Sequence, residues 1–285
     1  MKLRSYFVQT RMYFLKIARI SLREKVWLYL AFPAIIALIV NLVTARNMFQ
    51  NYDDTLSGFF ILTSACIWIG IFNSIQNICK EHSTIRMEYR EGAMLSSYVS
   101  AQVLWQMTLC LLQSLCIYLL SYFFGFFKNG RVEGIVFRSA TEYQVTIFLL
   151  TFGAAVLGLM VSAMADQPTT AMMIMPFVLI LQLIMSGVFF ELKGLAETVA
   201  GLTFSKWGMS AFGAIGEINR LDTKAMGVLL EQYGSSFDKS VLVKGQEMYE
   251  HVARNLWEPW AWCLALTCIF ALLAYAGLKL RNLDS

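Results

Sequence analysis

The stretch ICKEHSTIRMEYREGAMLSSY, residues 78–98, gathers Lys80, Glu81, His82, Arg86, Glu88, Arg90 and Glu91 between two apolar runs, Leu56–Cys79 and Ala101–Gly125, that hold no ionisable side chain. Each run reaches the roughly 20 apolar residues that a helix needs to cross a bilayer core about 30 Å thick. Backbone polar groups find no water in that core, so each run must close its hydrogen bonds internally as a helix. The charged turn between them then falls in water on one side of the membrane. Composition agrees: 58% of the 285 residues are hydrophobic and 15% charged, against about 45–50% and about 25% in soluble domains.

The same rule finds four more runs, Val26–Ala45, Tyr143–Ala165, Thr169–Phe190 and Pro259–Leu278. The expected fold is all-α and polytopic, with six transmembrane helices in one membrane domain, residues 26–285, behind a cytoplasmic segment, residues 1–25. In that segment Leu3, Tyr6, Phe7, Tyr13, Phe14, Ile17 and Ile20 recur at three- and four-residue steps, with Arg4, Arg11, Lys16, Arg19 and Arg23 on the opposite arc. This is the pattern of an amphipathic helix lying in a membrane interface. The segment lacks the apolar core and small-residue cleavage site of a removable signal. Its bases outnumber Glu24 beside the first run, which predicts a cytoplasmic N-terminus. Six crossings return the C-terminus, with Lys279 and Arg281, to the same side. Residues 191–258 then lie outside. Ala196–Ile215, broken by Gly201, Gly208 and Gly213, reads as a pair of re-entrant or interfacial helices. Glu217–Arg254 reads as a polar external cap with a helix-like TKAMGVLLEQYG at 223–234, and Trp257, Trp260 and Trp262 read as interfacial anchors of the last span.

Amides within spans are costly unless paired or wet. Asn73, Gln76 and Asn77 lie in the second run, Gln102, Gln106 and Gln113 in the third, and Gln182 in the fifth. Two readings stay open, glue between helices or the lining of a pathway. Pro176, amid Met172, Met173, Met175 and Met185, predicts a kink flanked by adaptable thioethers. No carboxylate or histidine falls inside a span, which disfavours a channel or an ion-coupled carrier. The cysteines at 66, 79, 110, 116, 263 and 268 read as small buried hydrophobes, with no metal-ligand spacing to His82 or His251. The sequence offers no phosphate-binding loop, zinc-protease helix or nucleophile elbow. No catalytic, cofactor-binding or metal-ligating residue is therefore expected, and the chain does not read as an enzyme. Its bases cluster beside a span, which speaks for membrane topology and against a nucleic-acid partner.

The run KEHSTIRMEYREGAMLSSYVSAQVLWQ, residues 80–106, resembles the first intracellular loop of ABC-2 type permeases, especially the G subfamily of ABC transporters. Glu81 stands where that family has a glutamate leaving the second span, Glu88 and Tyr89 at its Glu–Tyr step, Gly92 at its turn, and Ser96, Ser97 and Tyr98 at the serine-rich start of the third span. A second run, MSGVFFELKGLAETVAGLTFSKWGMSAFGAIGEIN at 185–219, is similar to the end of the family's fifth span and its re-entrant region. It matches at Ser186, Gly187, Val188, Phe189, Ser205, Lys206, Trp207, Ala211 and Glu217. Lys206 replaces the family's usual proline, the external segment has no cysteine, and no nucleotide-binding domain stands in front.

The resemblance implies a permease that exports a hydrophobic or amphipathic substrate, a drug-like compound, lipid or peptide, with ATP and Mg bound and hydrolysed by separate cassette ATPase subunits. It implies a second permease copy or a related permease as dimer partner, surrounding membrane lipids, and a bacterial plasma membrane. The N-terminal segment becomes a connecting helix and residues 80–97 a coupling loop, with Glu81, Arg86, Glu88, Tyr89, Arg90 and Glu91 meeting the ATPase. Ile69, Phe72, Asn73, Gln76, Ile180 and Leu183 fall along the substrate pathway, and Val188 and Phe189 at an apolar plug. The alternatives are a channel or ion-coupled carrier, and a membrane scaffold or enzyme.

Overall fold

The computed structural model describes residues 2–23, 26–44, 48–124, 134–190, 192–221 and 246–283. In chain order the helices are α1 (Lys2–Arg23), α2 (Val26–Thr44), α3 (Tyr52–Ser74), α4 (Asn77–Lys80), α5 (His82–Arg90), α6 (Leu95–Phe123), α7 (Ser139–Met164), α8 (Pro168–Ile184), α9 (Leu195–Ala200), α10 (Phe204–Ile215) and α11 (Arg254–Leu283). Among the described residues there is no strand. Four stretches, Tyr52–Lys80, Leu95–Phe123, Ser139–Met164 and Arg254–Arg281, are long and apolar enough to cross a membrane, and Tyr29–Thr44 and Pro168–Ile184 are shorter apolar helices. The chain is an α-helical, polytopic membrane protein.

α7 forms the centre, buried on nearly every side, as a helix without a polar face must be. α3 packs on it most intimately, because small residues face each other at the crossing. A methyl group on Gly70 would overlap the Thr151 carbonyl oxygen and lie 2.9 Å from the Ala155 nitrogen. The Ser74 hydroxyl donates to the Ala155 carbonyl at 2.6 Å. Between helices in lipid, where apolar burial gives no drive to associate, such close backbone approach and interhelical hydrogen bonds hold the bundle.

Four of the amides bond between helices. Asn73 Nδ2 donates to Gln113 Oε1 at 2.6 Å, and Gln113 Nε2 donates onward to the Tyr29 carbonyl at 2.7 Å. That carbonyl needs a donor, because Pro33 one turn later has no N–H. One pair of side chains therefore ties α3 to α6 and mends α2. Gln106 Nε2 reaches the Asn73 carbonyl at 3.4 Å. Gln182 Oε1 accepts the N–H groups of Phe204 and Ser205 at 3.0 and 3.2 Å, which satisfies donors at the start of α10.

The spans depart from the sequence reading in several places. The second is not one helix: α3 stops at Ser74, turns at Ile75–Gln76 and resumes as α4, with no glycine or proline to mark the break. The cause lies on α7, where Ser162 Oγ accepts the N–H groups of Ile78 and Cys79 at 3.0 and 3.1 Å. The fifth ends at Ile184 rather than Phe190, because the chain turns through Gly187 at φ +76°. The last begins at Arg254, ahead of Pro259, with Arg254 Nε 3.2 Å from Glu258 Oε2 across its first turn. Trp260 is buried, its indole N–H donating to Thr146 Oγ1 at 3.0 Å, so it belongs to the core and only Trp257 and Trp262 stay exposed as anchors. Cys268 is exposed and Cys116 half-buried, unlike the other four cysteines. α9 and α10 match the expected apolar pair, and α10 is held by rings, Phe212 stacking on Phe59 at 5.5 Å and on Tyr143 at 6.1 Å. The segment TKAMGVLLEQYG lies outside the described residues.

Candidate functional site

The charged turn folds as α5, nine residues set against one end of the bundle. Ile85 is buried and Tyr89 half-buried against Ile78, Leu95, Tyr98, Val99 and Leu278. Ser83, Thr84, Met87, Arg90 and Glu91 are exposed, and their three- and four-residue spacing makes them one face. The helix ends where Gly92 takes φ +97°, a conformation that a side chain resists. There the Gly92 N–H bonds the Tyr89 carbonyl and the Ala93 N–H bonds the Glu88 carbonyl, both at 3.0 Å, a Schellman closure that turns the chain sharply into α6.

Two carboxylates that read as outward contacts face inward instead. Glu88 Oε1 accepts Lys16 Nζ of α1 at 2.8 Å. Tyr13 lies beside this pair, and burial, then the Glu88 carboxylate, pushes its phenol up to about 12. Glu81 Oε2 accepts the Tyr98 hydroxyl at 2.8 Å, and that hydroxyl accepts Gln102 Nε2 at 2.8 Å. α1 also grips the far side of the turn, where Gln9 Oε1 accepts the Met94 N–H at 3.0 Å. α1 in turn rests on α6, with Tyr13 edge-on to Tyr98 at 5.5 Å and Phe14 against Trp105 at 6.0 Å. α1, α5 and the start of α6 thus form one braced unit.

A second clamp closes the same end. Arg281 of α11 donates to the carbonyls of Ala163, Ala165 and Asp166 and lies 3.7 Å from the Asp166 carboxylate. A cation there answers the free carbonyls and partial negative charge at the end of α7. His82 sits nearby, and burial, then Arg281 and Arg86, hold its imidazole below the ordinary histidine range.

Of the expected pathway residues, Ile69, Phe72 and Asn73 come together, but with α2 rather than with α8. They line a groove of about 430 Å³ with Tyr29, Phe32 and Ile36. Gln76 is half-buried in the turn after α3, Leu183 is half-buried on α8, and Ile180 is exposed there. Val188 packs on the main core, and the exposed Phe189 sets its ring edge-on to Phe60 at 4.9 Å.

The family model for ABC-2 type transporters matches residues 10–216. The chain belongs to the ABC-2 type transporter family. No curated protein matches the sequence. The ABC-2 match runs from Thr10 in α1 to Gly216 just past α10, so it takes in α5 and most of the α1 brace, and it marks this stretch as the membrane domain of an ABC transporter.

Within this ABC-2 domain, Arg90 and Glu91 face solvent, Arg86 is half-buried, and Glu81, Glu88 and Tyr89 are engaged internally. The sequence reading missed Met87, which is 65% exposed at the middle of the outward face. It also missed Lys16, Tyr13 and Gln9 as partners of the turn. Helical spacing from Ser83 to Glu91 could have flagged Met87. Nothing local could have paired Lys16 with a carboxylate 72 residues away.

Proposed function

We propose that this membrane domain is the permease of an exporter that works with a separate cassette ATPase, docked in the cytoplasm on the exposed face of α5. ATP and Mg²⁺ belong to that partner. The observation that carries the reading is the division of α5: Glu81 and Glu88 fasten it to α6 and α1, while Ser83, Thr84, Met87, Arg90 and Glu91 stand outward. A face of that kind, one apolar anchor within a polar rim, suits a contact that must re-form at every cycle. Closure of the ATPase pushes α5, the brace carries the push to α1 and α6, and the bundle switches access between the two sides.

The span pattern supports a six-crossing topology with both termini cytoplasmic, and the resemblance to G-subfamily permeases supports a dimer with a second copy or a related permease. Met173, Phe177, Ile180 and Ile184 leave an apolar stripe exposed along α8 for such a partner. Cargo of hydrophobic or amphipathic character fits spans without ionisable side chains. The setting that the resemblance to ABC-2 permeases supports is a bacterial plasma membrane.

Co-purification with the cassette ATPase encoded beside it, in lipid nanodiscs, tests the reading. The wild-type chain is expected to retain the ATPase and change its turnover. Met87→Asp, which puts a charge at the centre of an exposed face and disturbs no core packing, is expected to weaken retention about tenfold, the loss of one modest hot spot. Failure of the wild-type chain to bind the ATPase, or undiminished binding by Met87→Asp, contradicts it.

A further inference from the structure

A groove of about 540 Å³ runs between α1 and α6. Phe7, Arg11 and Phe14 form its first wall, with Arg11 at the boundary where the basic arc of α1 meets the apolar one rather than opposite it; Leu104, Met107, Leu111 and Leu112 of α6 form the second. Its two threonines are already satisfied, Thr10 donating to the Tyr6 carbonyl at 2.9 Å and Thr108 to the Leu104 carbonyl at 3.0 Å. That leaves Arg11, exposed and with no hydrogen-bond or ion-pair partner among the described residues, as the one charged group of an otherwise apolar slot. Lys16, five residues further along α1, is by contrast committed to Glu88.

We infer that this groove binds one anionic phospholipid, its phosphate on Arg11 and an acyl chain along α6. The wall from Leu104 to Leu112 rises about 12 Å at 1.5 Å per residue, most of the roughly 15 Å depth of one leaflet's hydrocarbon. A single unpaired guanidinium in an apolar slot complements a headgroup with net negative charge and has nothing to offer the ammonium of a zwitterionic one. The placement of α1 at the anionic cytoplasmic leaflet rests on the topology proposed above. The consequence reaches the brace: a lipid wedged between α1 and α6 fixes the helix that presents Lys16 and Gln9 to the turn.

The test is lipid retention by the purified chain, without ATPase, after equilibration in mixed micelles of phosphatidylglycerol and phosphatidylcholine, read by native mass spectrometry. One phosphatidylglycerol per chain is expected to be retained over phosphatidylcholine. Arg11→Gln is expected to lower that retention about fivefold, the worth of one cation near a charged headgroup. Thr108→Trp, which fills the slot and keeps the charge, lowers it as well, whereas Arg19→Gln, on α1 but outside the groove, leaves it unchanged. Equal retention of the two lipids, an Arg11→Gln variant that retains phosphatidylglycerol normally, or an Arg19→Gln variant that loses as much as Arg11→Gln overturns the site. Lipid retention with no ATPase coupling would count against the proposed function alone, and coupling without lipid selectivity against this inference alone.

Discussion

Valine in place of Gly70 is expected to part α3 from α7 and remove most of the folded protein from a purification. Even a methyl group there overlaps the Thr151 carbonyl oxygen and lies 2.8 Å from the Ala154 side chain. The Thr151 oxygen and the Ala155 nitrogen, 2.9 Å from that methyl, are backbone atoms, which cannot rotate away as a side-chain end could. Relief requires a shift of α3, and the shift breaks the 2.6 Å bond from Ser74 to Ala155 and the Ser162 contacts that shape the turn into α4. Overpacking of this kind costs about 3 kcal/mol, a large share of the roughly 5–15 kcal/mol that holds a typical domain together. Thermal melting followed by size-exclusion chromatography reads the effect, and a Gly70→Val variant as stable as wild type contradicts the packing described for α3 and α7.

The second large effect belongs to Glu142 at the other end of α7. Its side chain is fully buried, and its carboxylate oxygens accept the N–H groups of Ile135, Val136 and Phe137 at 3.0, 2.7 and 2.9 Å. Those bonds fold the end of the α6–α7 connection over α7, where Phe137 meets Trp257 of α11 edge-on at 6.0 Å. Leucine at 142 keeps much of the volume but leaves three donors unmet. Each unmet buried donor costs about 1–3 kcal/mol, and water can reach part of the exposed segment 136–138, so the expected loss is about 3 kcal/mol in all. Glu142→Gln retains one acceptor oxygen and is expected to lose about half as much. The melting temperatures of the two variants should fall in that order. Equal melting of Glu142→Leu and wild type would show that the carboxylate is not what holds the connection.

The amphipathic α1, the four long spans and the paired α9 and α10 were legible because length, hydropathy and helical period are local properties. The amide question was posed by the sequence and answered only by partners: Gln113 serves Asn73 and a carbonyl that Pro33 leaves free, and those three positions lie on three helices. The break at Ile75–Gln76 was invisible, since its cause is a hydroxyl on α7 and neither residue is a helix breaker. The charged turn was legible as a short polar element between spans, but the internal partners of its residues were not. Glu81 and Glu88 look like solvent contacts in a charged string, and their long-range partners Tyr98 and Lys16 make them braces.

The most direct test of that brace exchanges its charges. The Lys16–Glu88 pair is partly exposed on both sides, so its breakage costs about 1 kcal/mol or less in stability and leaves the fold intact. ATPase turnover would be measured in nanodiscs with the cassette partner for Glu88→Lys, Lys16→Glu and the double exchange, with complex recovery checked in each. The account predicts that either single substitution lowers the coupled turnover, while Lys16→Glu with Glu88→Lys restores it by re-forming the pair in reverse. Single substitutions that couple like wild type, or a double exchange as poor as the two singles combined, would contradict a role for the α1–α5 brace in transmission.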